Sequence, residues 1–417
     1  MENGATMRAW RVLLAVAAAL LLAAALSRGP VRAQQPAERD VHFGAGSCAA
    51  QACHGGGTAA REEYKVWATR DRHSKAYDVL SGELGRRIGE RLRLDPPNAP
   101  QCLSCHGTTG APTAATFDPH DGVSCEHCHG AAGRWLGPHA APGFAERPVA
   151  EKERLGLVDL STPAKRAALC VTCHVGGPGR DLTHEIMAAG HPPLAFDLAK
   201  FVSDLPPHWK NEGPPGPAAW AEGIKATVAA RLRQVARAAD ALGEWPEFGA
   251  FDCYSCHHVI GPGMDARPGA RPGDLPLDLA ALDVLALAAG DKALDRALEG
   301  IRGATYRPGA DRRDLAEFAA RAARDVEAIL PAASGFGPED AERFARNLDE
   351  HLAQVEAGEA RATYASMVGI AFAVFDLAPG RAAPAFRDAY AALDEALARP
   401  FDARACATLA RRALAAR

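Results

Sequence analysis

The chain is poor in methionine, in net charge and in long apolar runs, and each shortage closes a class of readings. Of its five methionines only Met187, Met264 and Met367 lie beyond the N-terminal 33 residues, so methionine has little scope as an iron or copper ligand. Lys+Arg number 47 against 51 Asp+Glu, a formal net charge of -4. No basic surplus points to nucleic acid. One stretch, Val12 to Leu26, is apolar over 15 residues, short of the roughly 20 that span a bilayer. Strand-like alternation is sparse between His42 and Gly261, which is rich in Gly, Pro and His instead.

Cysteine is where the information lies. Ten of the 11 cysteines form five pairs, and each pair's second member is followed at once by histidine. The units are Cys48/Cys53-His54, Cys102/Cys105-His106, Cys125/Cys128-His129, Cys170/Cys173-His174 and Cys253/Cys256-His257. Cys-x-x-Cys-His is the attachment signature of a c-type haem, in which two thiols bind the porphyrin and the histidine binds iron. Zinc or disulfides would explain paired cysteines, but neither needs histidine at that one place five times in a chain with 15 histidines. Five haems c are predicted. The first unit has four residues between its thiols where the others have two, so its loop must bulge for both sulfurs to reach one porphyrin. Cys406 is a lone thiol, read as a small apolar residue.

Taken in order, residues 1–33 read as an export signal. Arg8 and Arg11 precede the apolar run, and Val31-Arg32-Ala33 offers a cleavage site. An uncleaved signal is the one route to membrane association. Residues 34–260 form a pentahaem domain, loop-rich with short helices, because porphyrins supply much of its apolar core. Two helices are predicted within it, over Thr58 to Leu80 and over Ala218 to Leu242; the second carries Trp220, Ile224, Val228, Leu232, Val235, Ala239 and Leu242 at helical spacing. Residues 261–276 are a Pro/Gly linker. Residues 277–417 read as a helical bundle, with helices over Leu277–Ala289, Asp291–Arg302, Arg312–Ile329, Pro338–Gln354, Arg361–Phe375, Pro384–Ala398 and Asp402–Ala415. The fold class is mainly α.

Five proximal histidines leave ten others, and nine of these lie in the haem region. That surplus, with methionine so scarce, predicts bis-histidine irons of low potential. The predicted distal ligands are His73, His139, His184, His191 and His208. His42, His120 and His258 compete for any remaining place. His127, between its own cysteines, is expected to face solvent, and His351 is read as a surface residue. Motif two, Cys102 to His106, has no histidine nearby that obviously serves it. Arg72, Arg134 and Lys210 are candidates to pair with haem propionates.

These residues resemble the cytochrome c-554-like multihaem cytochromes, which include electron acceptors of hydroxylamine oxidation. The likeness is carried by Gly44 to Gly55 (GAGSCAAQACHG), Trp67 with His73, Gly122 to Gly130 (GVSCEHCHG), His139, Cys170 to His174 (CVTCH) with His184, and Cys253 to His257. The resemblance implies a mainly helical fold wrapped round closely stacked haems that move electrons in the periplasm. In that family histidines following the first, third and fourth motifs ligate haems attached elsewhere, which favours His73, His139 and His184. The family commonly carries four haems, against five motifs here, and the extension after Pro276 has no counterpart in it.

The reading is a periplasmic or otherwise exported electron carrier, rather than an enzyme, with no catalytic residues. Its expected partners are redox proteins: other cytochromes, a membrane quinol-linked complex or an outer-membrane one. Two alternatives use an open haem, with motif two the candidate: a reductase or oxidoreductase of nitrogen or sulfur compounds, and a haem-based gas sensor.

Overall fold

Cys-x-x-Cys-His sets three side chains at i, i+3 and i+4, which on an α-helix is one face. The computed structural model uses that geometry three times. It describes residues 40–56, 61–194, 196–206, 217–241, 245–251, 273–277, 299–301 and 304–329, with a few single positions between 388 and 412. The described elements are almost all helical: α1 Glu63–Arg70, α2 Glu83–Leu92, α3 Pro100–His106, α4 Cys125–His129, α5 Leu136–His139, α6 Val149–Arg154, α7 Pro163–His174, α8 His184–Ala188, α9 Leu198–Asp204, α10 Pro217–Asp240 and α11 Arg312–Ile329. One short antiparallel pair, β1 Leu275–Pro276 with β2 Thr305–Tyr306, joins them. Motifs two, three and four each close a helix, so that His106, His129 and His174 are the last residues of α3, α4 and α7.

The helices are short because their start and stop signals are crowded together. Pro100 and Pro163 occupy first-turn positions, where a missing N–H costs nothing. Thr162, Thr183 and Asp197 cap α7, α8 and α9 through their side-chain oxygens. The predicted helix over Thr58 to Leu80 is correspondingly broken. α1 ends at Arg70, Asp71 turns extended, and 3₁₀ turns follow at Arg72–Lys75 and Asp78–Ser81. Residues 57–60 lie outside the described residues. Asp71 accepts the His73 backbone N–H at 2.9 Å, a local bond that competes with helix continuation.

α10 is the scaffold. Of the predicted apolar stripe, Trp220, Ile224, Val228, Leu232, Val235 and Ala239 are buried, and Leu242 lies outside the described residues. On one side α10 meets α7 and α9: Ala167 and Leu198 pack with Ala219, and Val171 and Val175 pack with Ala230. On the other it meets α11, which buries Ala319, Ala322, Ala323 and Val326 at helical spacing and pairs Glu327 with Arg233. Helix α11 has the predicted bounds. Two details of the linker region differ from expectation. Leu275–Pro276 pair as β1, and buried Leu277 bridges Phe251 instead of opening a helix. A helical turn at 299–301 falls in the helix predicted over Asp291–Arg302, and the few described positions from 388 to 412 are helical and fall in those predicted over Pro384–Ala398 and Asp402–Ala415. The helices predicted over Pro338–Gln354 and Arg361–Phe375, and Cys406, lie outside the described residues. Among the described residues no helix is long and apolar enough to cross a membrane.

Motifs one and three are tied together by a buried carboxylate. Glu126, inside motif three, is 2% exposed. Its Oε2 accepts the Gly44 N–H at 2.7 Å and its Oε1 the Ala132 N–H at 2.8 Å. Next along, Asp121 Oδ2 accepts the Ala45 N–H at 3.0 Å. Gly44 has φ 86, and a Cβ there would stand 2.9 Å from Phe117 Cα. Gly122 has φ 64, and a Cβ there would stand 2.7 Å from the His73 carbonyl oxygen. That close approach lets the same carbonyl accept the Val123 N–H at 3.1 Å, while the Trp67 indole donates to the Val123 carbonyl at 3.1 Å. Removing the Glu126 carboxylate strands two buried N–H donors, each worth about 1–3 kcal/mol. Glu126→Ala is therefore expected to lose about 2–5 kcal/mol of folding stability, read by thermal or denaturant melts, with Glu126→Gln between it and the native chain. Unchanged melts for both variants would contradict the clamp.

Candidate haem chamber

The described motifs converge on one cavity of about 1030 Å³, at the top of the range of roughly 300–1,000 Å³ for single-ligand pockets. Cys48, Cys53, Cys102, Cys105, Cys125, Cys128, Cys170 and Cys173 all line it, with the proximal residues His54, His106, His129 and His174. His73, His139 and His191, three of the predicted distal ligands, line it too. The widened first unit takes part. After the 3₁₀ turn Ala45–Cys48 the extra residues fold into a tight turn, with Cys53 N–H bonding to the Ala50 carbonyl at 2.8 Å and His54 N–H to the Cys48 carbonyl at 3.3 Å.

Three proximal histidines each face a second histidine brought from elsewhere in the chain. Ring centres are 6.1 Å apart for His54 and His139, 6.1 Å for His174 and His73, and 6.3 Å for His106 and His191. With imidazole–metal bonds of about 2.0–2.1 Å and ~1.1 Å from nitrogen to ring centre, two imidazoles on opposite sides of one ion stand roughly 6.3 Å apart. The spacing fits an iron between each pair.

The Nδ1 atoms complete the arrangement. His54 Nδ1 bonds Glu63 Oε2 at 3.0 Å and His73 Nδ1 bonds Asp71 Oδ1 at 2.9 Å. The Nδ1 atoms of His106, His139 and His191 bond the carbonyls of Ala76, Leu136 and Pro192 at 2.9, 2.7 and 2.8 Å. A carbonyl can only accept, so Nδ1 carries the proton and Nε2 keeps its lone pair for a metal. Burial holds His106 and His174 below the ordinary imidazole value, whereas the hydrogen bond to Asp71 holds His73 above it. Phe196 and Phe201 flank the His174 ring, with centres at 5.7 and 4.9 Å.

The donor set suits haem rather than its competitors. Among the described residues no three His, Cys, Asp or Glu side chains gather as a metal cluster, which a structural zinc site requires. The eight described motif cysteines are free thiols, not disulfides. Thiols from different motifs are nevertheless near enough to interact. Donating a hydrogen bond to Cys48, together with burial, pushes the Cys125 thiol up, and donating to Cys173 does the same to Cys105. Burial pushes Cys128 up to about 12 and Cys170 up to about 11, so both stay protonated near neutrality.

Several sequence expectations need correction. Motif two does have a histidine opposite it, His191, which the turn at Gly190 (φ 116) after α8 brings across from far along the chain. His184 opens α8, which stops at Ala188, so His191 lies beyond the helix. His127 faces the chamber rather than solvent: its Nε2 is 4.0 Å from Cys173 Sγ and its Nδ1 is buried. His42 is buried against Phe117, its backbone bonded to Pro112 and Ala114, and is not in the chamber lining. His120 is exposed beside Asp118. Arg134 pairs with Asp40, and Arg72 is exposed and not in the lining. The arginines that do line the chamber are Arg166 and Arg180. His184 stands outside the lining, its ring 5.8 Å from Phe248 and its backbone N–H 2.7 Å from Glu247 Oε1. Cys253, Cys256, His257, His208, His258, Lys210 and His351 lie outside the described residues.

Sequence reasoning missed Glu63, Asp71, Glu126, Arg166 and Arg180. For Asp71 a signal existed in its place two residues before a candidate ligand, the spacing of an Asx turn. The others are brought in by tertiary packing.

No curated protein and no solved structure matches the chain. Residues 47–130, which hold motifs one, two and three in full, match the family described as cytochrome c554 and c-prime. That segment is therefore similar to cytochrome c554 and c-prime, a family for which covalently bound haem c and electron transfer are implied.

Proposed function

We propose that the chain is an exported electron carrier holding five haems c, each iron set between two histidines. The observation that carries this reading is the pairing of three proximal histidines with distal ones at 6.1–6.3 Å between ring centres. An iron closed on both sides changes oxidation state without changing ligands, which suits a carrier and not an enzyme that must bind substrate at the metal. The proposed pairs are His54 with His139, His106 with His191, and His174 with His73. Motifs three and five remain, with His184 and His208 to serve them. His184 is bonded to Glu247, just before the segment that leads into Cys253, so we assign it to His257 and leave His208 for His129.

The sulfur contacts support an order of transfer. Motif one meets motif three through Cys48 and Cys125, and motif four meets motif two through Cys173 and Cys105. His127, in motif three, reaches Cys173 in motif four. Electrons would pass in the order one, three, four, two, which is not the order of the chain. Haem chemistry supplies one-electron transfer at each point; the protein fixes the spacing, orients each imidazole and excludes water. Periplasmic location and redox-protein partners accompany this reading, on the strength of the N-terminal export pattern and the family's typical setting. The reductase and sensor alternatives need one open iron, and at motif two, the candidate for it, His191 stands opposite the proximal His106.

Pyridine haemochrome assay of the mature protein is expected to give five haems per chain; one or none would end the proposal. The reduced protein is expected not to bind carbon monoxide. In His191→Ala one haem alone should turn high-spin and bind it. Carbon monoxide binding by the unaltered protein would favour the enzyme or sensor readings instead.

A further inference from the structure

The acceptors on the Nδ1 atoms are not alike. At motif two both rings donate to neutral carbonyls, His106 to Ala76 and His191 to Pro192. At motif one His139 donates to the Leu136 carbonyl but His54 to the Glu63 carboxylate. At motif four His73 donates to the Asp71 carboxylate. Both carboxylates line the chamber and are mostly buried, with side chains 21% and 13% exposed, so their charges are little screened.

A carboxylate on Nδ1 draws the proton away and makes the imidazole a stronger donor. A stronger donor, with a negative charge one ring away, stabilises ferric over ferrous iron. We propose that Glu63 and Asp71 are tuning residues that hold the irons at motifs one and four at lower potentials than the iron at motif two. This rests on the bis-histidine reading above. Electrons arriving at motif one would then come to rest at motif two, at the far end of the sulfur-linked order, where the rings lean on neutral carbonyls. Arg180, which lines the chamber, acts on both Cys105 and Cys173, so it raises motifs two and four together and does not erase the difference.

The charge can be separated from the geometry. Asp71 Oδ1 also accepts the His73 backbone N–H, so it positions the ring as well as charging it. Asp71→Asn and Glu63→Gln each keep an oxygen acceptor and remove only the charge. Asp71→Glu and Glu63→Asp restore the charge. Glu151→Gln, which removes an exposed carboxylate paired with Arg147 outside the chamber lining, is the control. Each holoprotein would first be checked for haem content and low-spin spectrum, then titrated spectropotentiometrically.

In each neutral variant one redox step is expected to rise so that its reduced-to-oxidised ratio at fixed potential grows at least tenfold, about 59 mV for one electron. The highest step should stay where it is, and the charge-restoring variants should return the moved step toward its starting place. Should either neutral variant lose its haem, the other decides. Variants that keep their haems but titrate like Glu151→Gln would overturn the inference while leaving the bis-histidine reading standing. An unaltered protein without low-spin haems would remove that reading first.

Discussion

A histidine binds iron well only if one ring nitrogen is held and the other left free, and that constraint organises the described half of this chain. Five of the six paired rings have Nδ1 fixed by a carbonyl or a carboxylate. Four of those acceptors sit close to their histidine in sequence: Asp71, Glu63, Leu136 and Pro192. The fifth, the Ala76 carbonyl, comes to His106 from the segment that carries His73. A free imidazole would lose rotamer freedom on binding a metal; here the hydrogen bonds have already removed much of it.

The rest of the fold serves that arrangement with little regular structure. Long helices are confined to the α7, α10 and α11 layer, which packs conventionally through alanine and branched aliphatic residues. Around the chamber the chain runs in short helices and turns, held by side chain to backbone bonds such as those of Glu126, Asp121 and Trp67. A protein with so large a cavity has few apolar contacts across it. Buried polar clamps hold the walls instead, and a buried carboxylate is tolerable because both of its oxygens are satisfied.

What could be read from the sequence divides along the same line. The Cys-x-x-Cys-His units were legible because their spacing is local. So were α10 and α11, whose 3.6-residue periodicity is written into continuous stretches, with α11 given at its observed ends. Three of the histidines expected from the surplus as distal ligands, His73, His139 and His191, have their rings 6.1–6.3 Å from those of His174, His54 and His106. What failed were inferences from proximity in sequence. Motif two lacks a partner along the local sequence because His191 reaches it only through a turn at Gly190, and nothing local in the sequence shows that motif four comes up against His127. The helix drawn through His73 failed for a different reason, since Asp71 takes the His73 N–H that a continuing helix would need.

The paired imidazoles also differ in how their planes are turned: 15° between His54 and His139, but 81° between His73 and His174 and 75° between His106 and His191. Near-parallel planes split the iron orbitals and give a rhombic low-spin signal, while near-perpendicular planes leave them almost degenerate and give a strongly anisotropic one. Electron paramagnetic resonance of the fully oxidised protein reads this directly. The expected spectrum holds both kinds of low-spin signal, with the anisotropic kind accounting for at least two irons and no high-spin component. A spectrum dominated by high-spin iron, or the absence of any haem signal, would contradict the paired-histidine chamber.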